Sequence, residues 1–151
     1  EAFEDGIPIE SALQGARDCG SLPVLPWGFG KWTLSRGRRI RELIVREGPS
    51  AFCLGDVGGR WRGLSEPPLL AEGRSQGFAV LPGSDPLPFS GQVGRAGSSG
   101  LILPHSLHLD GAVEGLLQSL PRTDIGAESF MNLERLGPFV QQQIRMQLRK
   151  L

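Results

Sequence analysis

Four charged residues come shortly after short apolar segments of the chain: Lys31, Asp56, Arg60 and Asp85. Asp85 is the best candidate for chemistry, because it follows the apolar run 78–82 within a glycine- and proline-rich turn. In α/β proteins, functional residues lie just past the carboxyl ends of the strands. We therefore predict Asp85 as a catalytic carboxylate, with Lys31, Asp56 and Arg60 as substrate-binding residues around it.

The elements that must position these residues repeat along the chain. Helical patterns over 8–19, 35–47 and 67–76 each precede a short apolar segment, and glycines end these segments at Gly28, Gly55 and Gly83. The glycines are 27 and 28 residues apart. This spacing predicts an α/β fold of parallel βα units over 8–88, either as part of a (β/α)8 barrel or in an open doubly wound sheet.

Parallel strands end at the same edge of a sheet, so the four charged side chains are expected to meet there. Simpler interpretations exist for three of them. Asp56 precedes a glycine and is also suited to capping a turn. Lys31 and Arg60 are each followed by a tryptophan, on which a cation can stack instead of binding an anionic ligand.

The turn Gly83-Ser84-Asp85, with Pro86 or Pro88 after it, resembles the last barrel strand of the amidohydrolase-like metal-dependent hydrolases. The resemblance implies that this chain is the C-terminal portion of a (β/α)8 barrel, with its three strands as the sixth, seventh and eighth. It also implies that Asp85 binds a divalent metal, zinc above all, and accepts a proton from the attacking water.

That family carries a His-x-His on its first strand and further histidines on the middle strands. This chain has only His105 and His108, and neither follows a predicted buried strand. We interpret both as ordinary surface or core histidines. The metal ligands are therefore incomplete in this chain, and the missing ones are expected in an N-terminal segment, unless the metal has been lost.

Beyond Asp85 the repeat gives way to a glycine- and serine-rich stretch over 89–109 that contains Arg95. Glycine amides, serine hydroxyls and an arginine suit a phosphate or carboxylate, so we predict Arg95 as a substrate-binding residue; a surface loop without function is the alternative. Residues 101–103 fit a short edge strand. Helices are predicted over 110–151, one starting at Asp110 and one broken near Gly137-Pro138.

Composition restricts the function classes. The formal net charge of +0 removes any bulk electrostatic attraction to nucleic acid or to an anionic membrane. No apolar run approaches the roughly 20 residues of a membrane-spanning helix, and the acidic N-terminus does not resemble a signal peptide, so we expect a cytoplasmic protein. Cys19 and Cys53 lack metal-site spacing and are expected to be reduced, buried thiols.

We expect one domain over 1–151 and a metal-dependent, hydrolase-like activity on a small, anionic substrate. The alternative is a non-enzymatic α/β module that binds an anion such as phosphate. A third option is an interaction domain that docks through its basic C-terminal helix. The expected partner is a small molecule, with a homo-oligomer as a further option.

Overall fold

The structure, a computed structural model, describes residues 6–103 and 128–148. Its first part alternates helices and strands: α1 (Ile9–Asp18), β1 (Val24–Pro26), α2 (Leu34–Glu47), β2 (Cys53–Val57), α3 (Pro68–Ser75) and β3 (Val80–Gly83). A 3₁₀ helix (Ser90–Arg95) follows. The remaining described elements are β4 (Ser99–Ile102), β5 (Glu128–Met131) and α4 (Leu136–Leu148).

The three strands of the first part form a parallel sheet in the order β1-β2-β3. Leu25, Leu54 and Val80 lie side by side in its register. Strands β4 and β5 pair antiparallel in a separate two-stranded sheet. The predicted α/β fold with parallel βα units is confirmed, whereas the described residues form an open sheet and not a closed barrel.

One apolar cluster joins the helices to the sheet. Ile40, Leu43 and Ile44 on α2 are buried together with residues of α1, α3, β2 and β3. Gly73 allows α3 to pack closely on β2, because a methyl group at this position would overlap the Leu54 side chain. The helices therefore cover the sheet face that carries Leu25, Leu54 and Val80.

Two features of β2 and β4 refine the predictions. Strand β2 runs through Val57, so Asp56 lies inside the strand and not in a turn after it. The edge strand expected at 101–103 is found as β4 at Ser99–Ile102. Strand β4 and a 3₁₀ helix thus occupy part of the stretch that was predicted as a long loop.

The prediction for the C-terminal part was wrong in two respects. Residues 128–131 form strand β5, and α4 shows no break at Gly137-Pro138. Pro138 lies in the first turn of α4, where a proline is tolerated because its missing N–H would have no partner within the helix. The helix predicted from Asp110, together with His105 and His108, lies outside the described residues.

Both cysteines are free thiols, as expected, but only Cys53 is buried. Cys19 is exposed because it lies just past the last turn of α1, away from the apolar cluster. Within residues 6–103 and 128–148, none of the helices has the length and apolar character needed to cross a membrane.

Candidate functional site

A cleft of about 150 Å³ lies at the carboxyl ends of the three parallel strands. The segment that ends or follows each strand forms part of the cleft wall, and α4 lies on the other side of the cleft. The lining residues are Gly28, Phe29 and Lys31 after β1, Val57 and Gly59 at the end of β2, Asp85 and Leu87 after β3, Gln92 of the 3₁₀ helix, and Gln142, Gln143, Met146 and Gln147 of α4.

Asp85 reaches the cleft from a turn with an unusual backbone. Its φ of 35° lies in the left-handed region, which side-chain-bearing residues seldom adopt. The preceding Ser84 fixes this turn, because its hydroxyl accepts a hydrogen bond from the Gly97 amide at 3.2 Å. Asp85 is exposed. A carboxylate held in this way is available to a ligand or to water.

Lys31 reaches the same cleft from the turn after β1. The Lys31 amide donates a hydrogen bond to the Gly28 carbonyl at 2.8 Å, and the aliphatic part of the side chain folds back over Gly28. In the described part of the chain, no carboxylate forms an ion pair with the Lys31 ammonium. Lys31 and Asp85 are thus brought together, as the parallel strands predicted; their roles in binding and catalysis stay predictions.

Asp56 and Arg60 form a separate, buried pair. Arg60 Nε and Nη2 donate to Asp56 Oδ1 at 3.3 Å and Oδ2 at 3.1 Å, and Nη1 donates to the Leu64 carbonyl at 2.8 Å. The two residues are only 3% and 9% exposed, and neither lines the cleft. The geometry indicates that this pair fixes the loop after β2, and it gives no direct support to the predicted substrate contacts of either residue.

Arg95 is also engaged by the protein itself. Its Nε lies 2.9 Å from Glu134 Oε1, and its Nη2 donates to the carbonyls of Gly58 at 2.9 Å and Asn132 at 2.6 Å. These contacts join the 3₁₀ helix to the β2 loop and to the segment after β5. An anion bound by Arg95, as predicted, would compete with all three contacts.

Glu134 is the residue that sequence reasoning missed. Glu134 is 6% exposed, and its carboxylate accepts hydrogen bonds from the side chains of Arg95, Gln92 and Gln142. Its backbone forms hydrogen bonds with the backbones of Arg60 and Arg62. The acid therefore connects α4 to the 3₁₀ helix and to the loop after β2. A single glutamate in a tail with helical periodicity carries no spacing signal that could have revealed this role.

A metal ion finds few ligands in the described part of the chain. No three His, Cys, Asp or Glu side chains in residues 6–103 and 128–148 are grouped in a way that could hold one. Asp85 could supply one carboxylate ligand, but the described residues do not by themselves fit a zinc site, which needs at least three protein ligands.

Comparisons with family models, with curated proteins and with solved structures found no match to this chain.

Proposed function

We propose that this chain supplies the strand-end part of a small-molecule site in a hydrolase-like βα-barrel protein, with Asp85 as its general base. The observation that carries this proposal is that Lys31 and Asp85, from the two outer strands of a parallel sheet, line one cleft at the carboxyl ends of the strands. Clefts at this edge are the usual ligand sites of α/β proteins. The left-handed backbone of Asp85 adds support, because such conformations are concentrated at functional sites.

The barrel part of this proposal rests on the resemblance carried by Gly83-Ser84-Asp85, and the sequential parallel sheet is compatible with it. Residues of α1, α2 and α3 belong to one apolar cluster, as expected both for a barrel portion and for one half of a doubly wound sheet. On the other face, Val24 of the outer strand β1 is 40% exposed, whereas Cys53 and Val57 of the central strand β2 are only 0% and 9% exposed. In a complete barrel that face would line the interior, and further strands would pair with β1 and β3.

The chemistry proposed for Asp85 is hydrolysis of an ester or amide bond. Its carboxylate accepts a proton from water while the water oxygen forms a bond to the carbonyl carbon of the substrate. The bond to the leaving group then breaks, and the proton is passed to that group. Lys31 would hold an anionic part of the substrate through its charge, which orients the carbonyl carbon towards the water.

The resemblance to the amidohydrolase-like proteins adds a divalent metal to this proposal. Asp85 would be one of the ligands, and the others would have to come from residues outside the described ranges. The proton transfer to Asp85 and the bond changes at the carbonyl carbon do not depend on the metal. Elemental analysis of the purified wild type and of Asp85→Asn tests this part separately: a metal that stays bound to the variant would exclude Asp85 as a ligand.

A chromogenic ester pair tests the proposed activity. We expect the chain to hydrolyse 4-nitrophenyl hydrogen succinate, which is anionic, and Asp85→Asn to lower kcat by about 100-fold or more. Lys31→Met should raise KM for this ester and leave KM for neutral 4-nitrophenyl acetate unchanged. Asp18→Asn, an exposed aspartate on α1, is the matched control. No hydrolysis by the wild type, or full activity in Asp85→Asn, would refute the activity.

The non-enzymatic anion-binding module remains the second candidate, and the presence of Lys31 in the cleft lining favours it. A protein of this kind would hydrolyse neither ester. Sulfate would raise the Tm of the wild type and of Asp85→Asn equally, because a bound ligand stabilises the folded state, and Lys31→Met would abolish the rise.

A further inference from the structure

Three nitrogen donors converge on one oxygen of Glu134 beside the cleft. Arg95 Nε lies 2.9 Å from Glu134 Oε1, Gln142 Nε2 lies 3.0 Å from it, and Gln92 Nε2 lies 3.5 Å from it. An ionised carboxylate can only accept hydrogen bonds. The Gln142 amide, at 3.0 Å, must therefore present its NH2 group to Glu134, and the Gln92 amide has the same orientation at the longer distance of 3.5 Å.

This orientation determines what the two glutamines offer to a ligand. With each NH2 group on Glu134, the carbonyl oxygen of the same amide points away from Glu134, and both residues line the cleft. Gln142 is only 7% exposed, so its side chain has little freedom to turn. The 3₁₀ helix and α4 thus each contribute to the cleft an amide whose carbonyl oxygen is not used by Glu134, while Lys31 provides a positive charge from the turn after β1.

We propose that the cleft binds a small hydroxylated anion, whose charged group lies against Lys31 and whose hydroxyls donate to the carbonyl oxygens of Gln92 and Gln142. This assignment rests on the proposed function, because it names the substrate class of the same cleft. An alkyl anion would leave both amide carbonyls without a donor, and a site built for hydroxyl groups discriminates against such a ligand. A cleft of about 150 Å³ is small beside the pockets that hold drug-sized ligands.

Binding of matched six-carbon probes to the whole chain tests this assignment. Gluconate carries both a carboxylate and hydroxyl groups. Hexanoate carries the carboxylate alone, and sorbitol carries the hydroxyl groups alone. We expect gluconate to bind at least about fivefold more tightly than either of the others, which is the factor for one net hydrogen bond. Glucose 6-phosphate against hexyl phosphate repeats the comparison and tells a phosphate ligand from a carboxylate.

Variants of Gln142 on α4 and of Gln92 on the 3₁₀ helix identify the residues responsible. Gln142→Leu should remove most of the preference for gluconate over hexanoate and leave hexanoate binding unchanged. Gln92→Leu should act in the same direction, and it serves as the second variant if Gln142→Leu fails to fold, because its contact with Glu134 is longer. Gln141→Leu is the matched control, since Gln141 lies on α4, is exposed and does not line the cleft.

The proposal is overturned if the wild type binds gluconate no better than hexanoate or sorbitol, or if both Gln142→Leu and Gln92→Leu keep the full preference. Failure of this assignment differs from failure of the proposed function. If only the hydroxyl preference is absent, Lys31→Met still weakens hexanoate binding and Asp85→Asn still loses ester hydrolysis. If the proposed function is wrong, the wild type hydrolyses neither ester, or Asp85→Asn hydrolyses 4-nitrophenyl hydrogen succinate as fast as the wild type.

Discussion

Two pairs of opposite charge lie near the carboxyl ends of the same three strands, and their surroundings differ. Asp56 and Arg60 are four positions apart, buried, and bonded to each other through two nitrogen–oxygen contacts. Lys31 and Asp85 are 54 positions apart, exposed, and line a cleft. Four charges that the sequence pattern groups together are thus divided into a pair that the protein satisfies internally and a pair that it leaves accessible to a ligand.

Strand alternation explains the difference. Asp56 follows Leu54 by two residues, so both side chains lie on the sheet face that the helices cover. A carboxylate on that face is removed from water and requires a partner, which Arg60 supplies across the short turn at Gly58-Gly59. Lys31 and Asp85 lie beyond the ends of their strands and are exposed. Asp56 instead lies inside its strand and is paired with Arg60.

The largest effect is expected from breaking the buried pair. Arg60→Met should lower the free energy of unfolding by about 3–5 kcal/mol, because Asp56 is then left as a buried charge without a partner. Lys31→Met should change it by less than about 0.5 kcal/mol, since Lys31 is an exposed residue. Urea unfolding midpoints with unchanged m-values measure both.

The double variant Asp56→Leu/Arg60→Met is the control for this comparison. Replacing both charges by apolar side chains is expected to restore most of the lost stability, because no uncompensated charge remains. If Arg60→Met costs less than about 1 kcal/mol, the pair does not stabilise the loop after β2, and the distinction between the two pairs loses its energetic basis.

The sequence was sufficient to predict the βα repeat, because regularly spaced glycines mark the strand ends. It was also sufficient to predict that Lys31 and Asp85 lie at one cleft, because parallel strands end at the same edge of a sheet. It was not sufficient for Arg95. The partner of Arg95 is Glu134, 39 positions later, and neither residue belongs to a periodic pattern that could link them. The helix break predicted at Pro138 was wrong for a local reason. A proline in the interior of a helix ends or kinks it, but a proline in the first turn of a helix is accepted.

Cys53 extends the comparison to pH, because it lies on the same buried strand as Asp56. Burial raises the pKa of the Cys53 thiol to about 11. In the unfolded chain the thiol ionises near its ordinary value, about 8.5. The unfolded state therefore loses this proton first, and the free energy of unfolding should fall between about pH 9 and 11, by up to about 1.4 kcal/mol per pH unit. Below that range Cys53 should contribute no pH dependence.

Unfolding at pH 8 and pH 10 measures this effect, with two cysteine variants to assign it. Cys53→Ala should reduce the fall in stability, whereas Cys19→Ala, at an exposed position, should retain it. Equal pH dependence in Cys53→Ala and the wild type would mean that the thiol reaches water, so the interior of β2 would be more open than the structure indicates.

The smallest change in stability, and the one that bears most directly on the accessible pair, is expected for Asp85→Gly. Glycine adopts a φ of 35° without the steric cost that a side chain incurs, although its greater freedom in the unfolded chain offsets part of the gain. We expect the free energy of unfolding to rise by up to about 1 kcal/mol while hydrolysis of 4-nitrophenyl hydrogen succinate is lost. Stability and activity would then move in opposite directions, as expected where backbone strain serves a site.

Leu34→Gly is the matched control for that prediction. Leu34 also has a left-handed backbone, with a φ of 52°, but it lies at the start of α2 and does not line the cleft. It should gain stability in the same way and keep the hydrolytic rate. A loss of more than about 1 kcal/mol in Asp85→Gly would instead show that the Asp85 carboxylate stabilises the fold, and Lys31 and Asp85 would then differ from Asp56 and Arg60 in exposure alone.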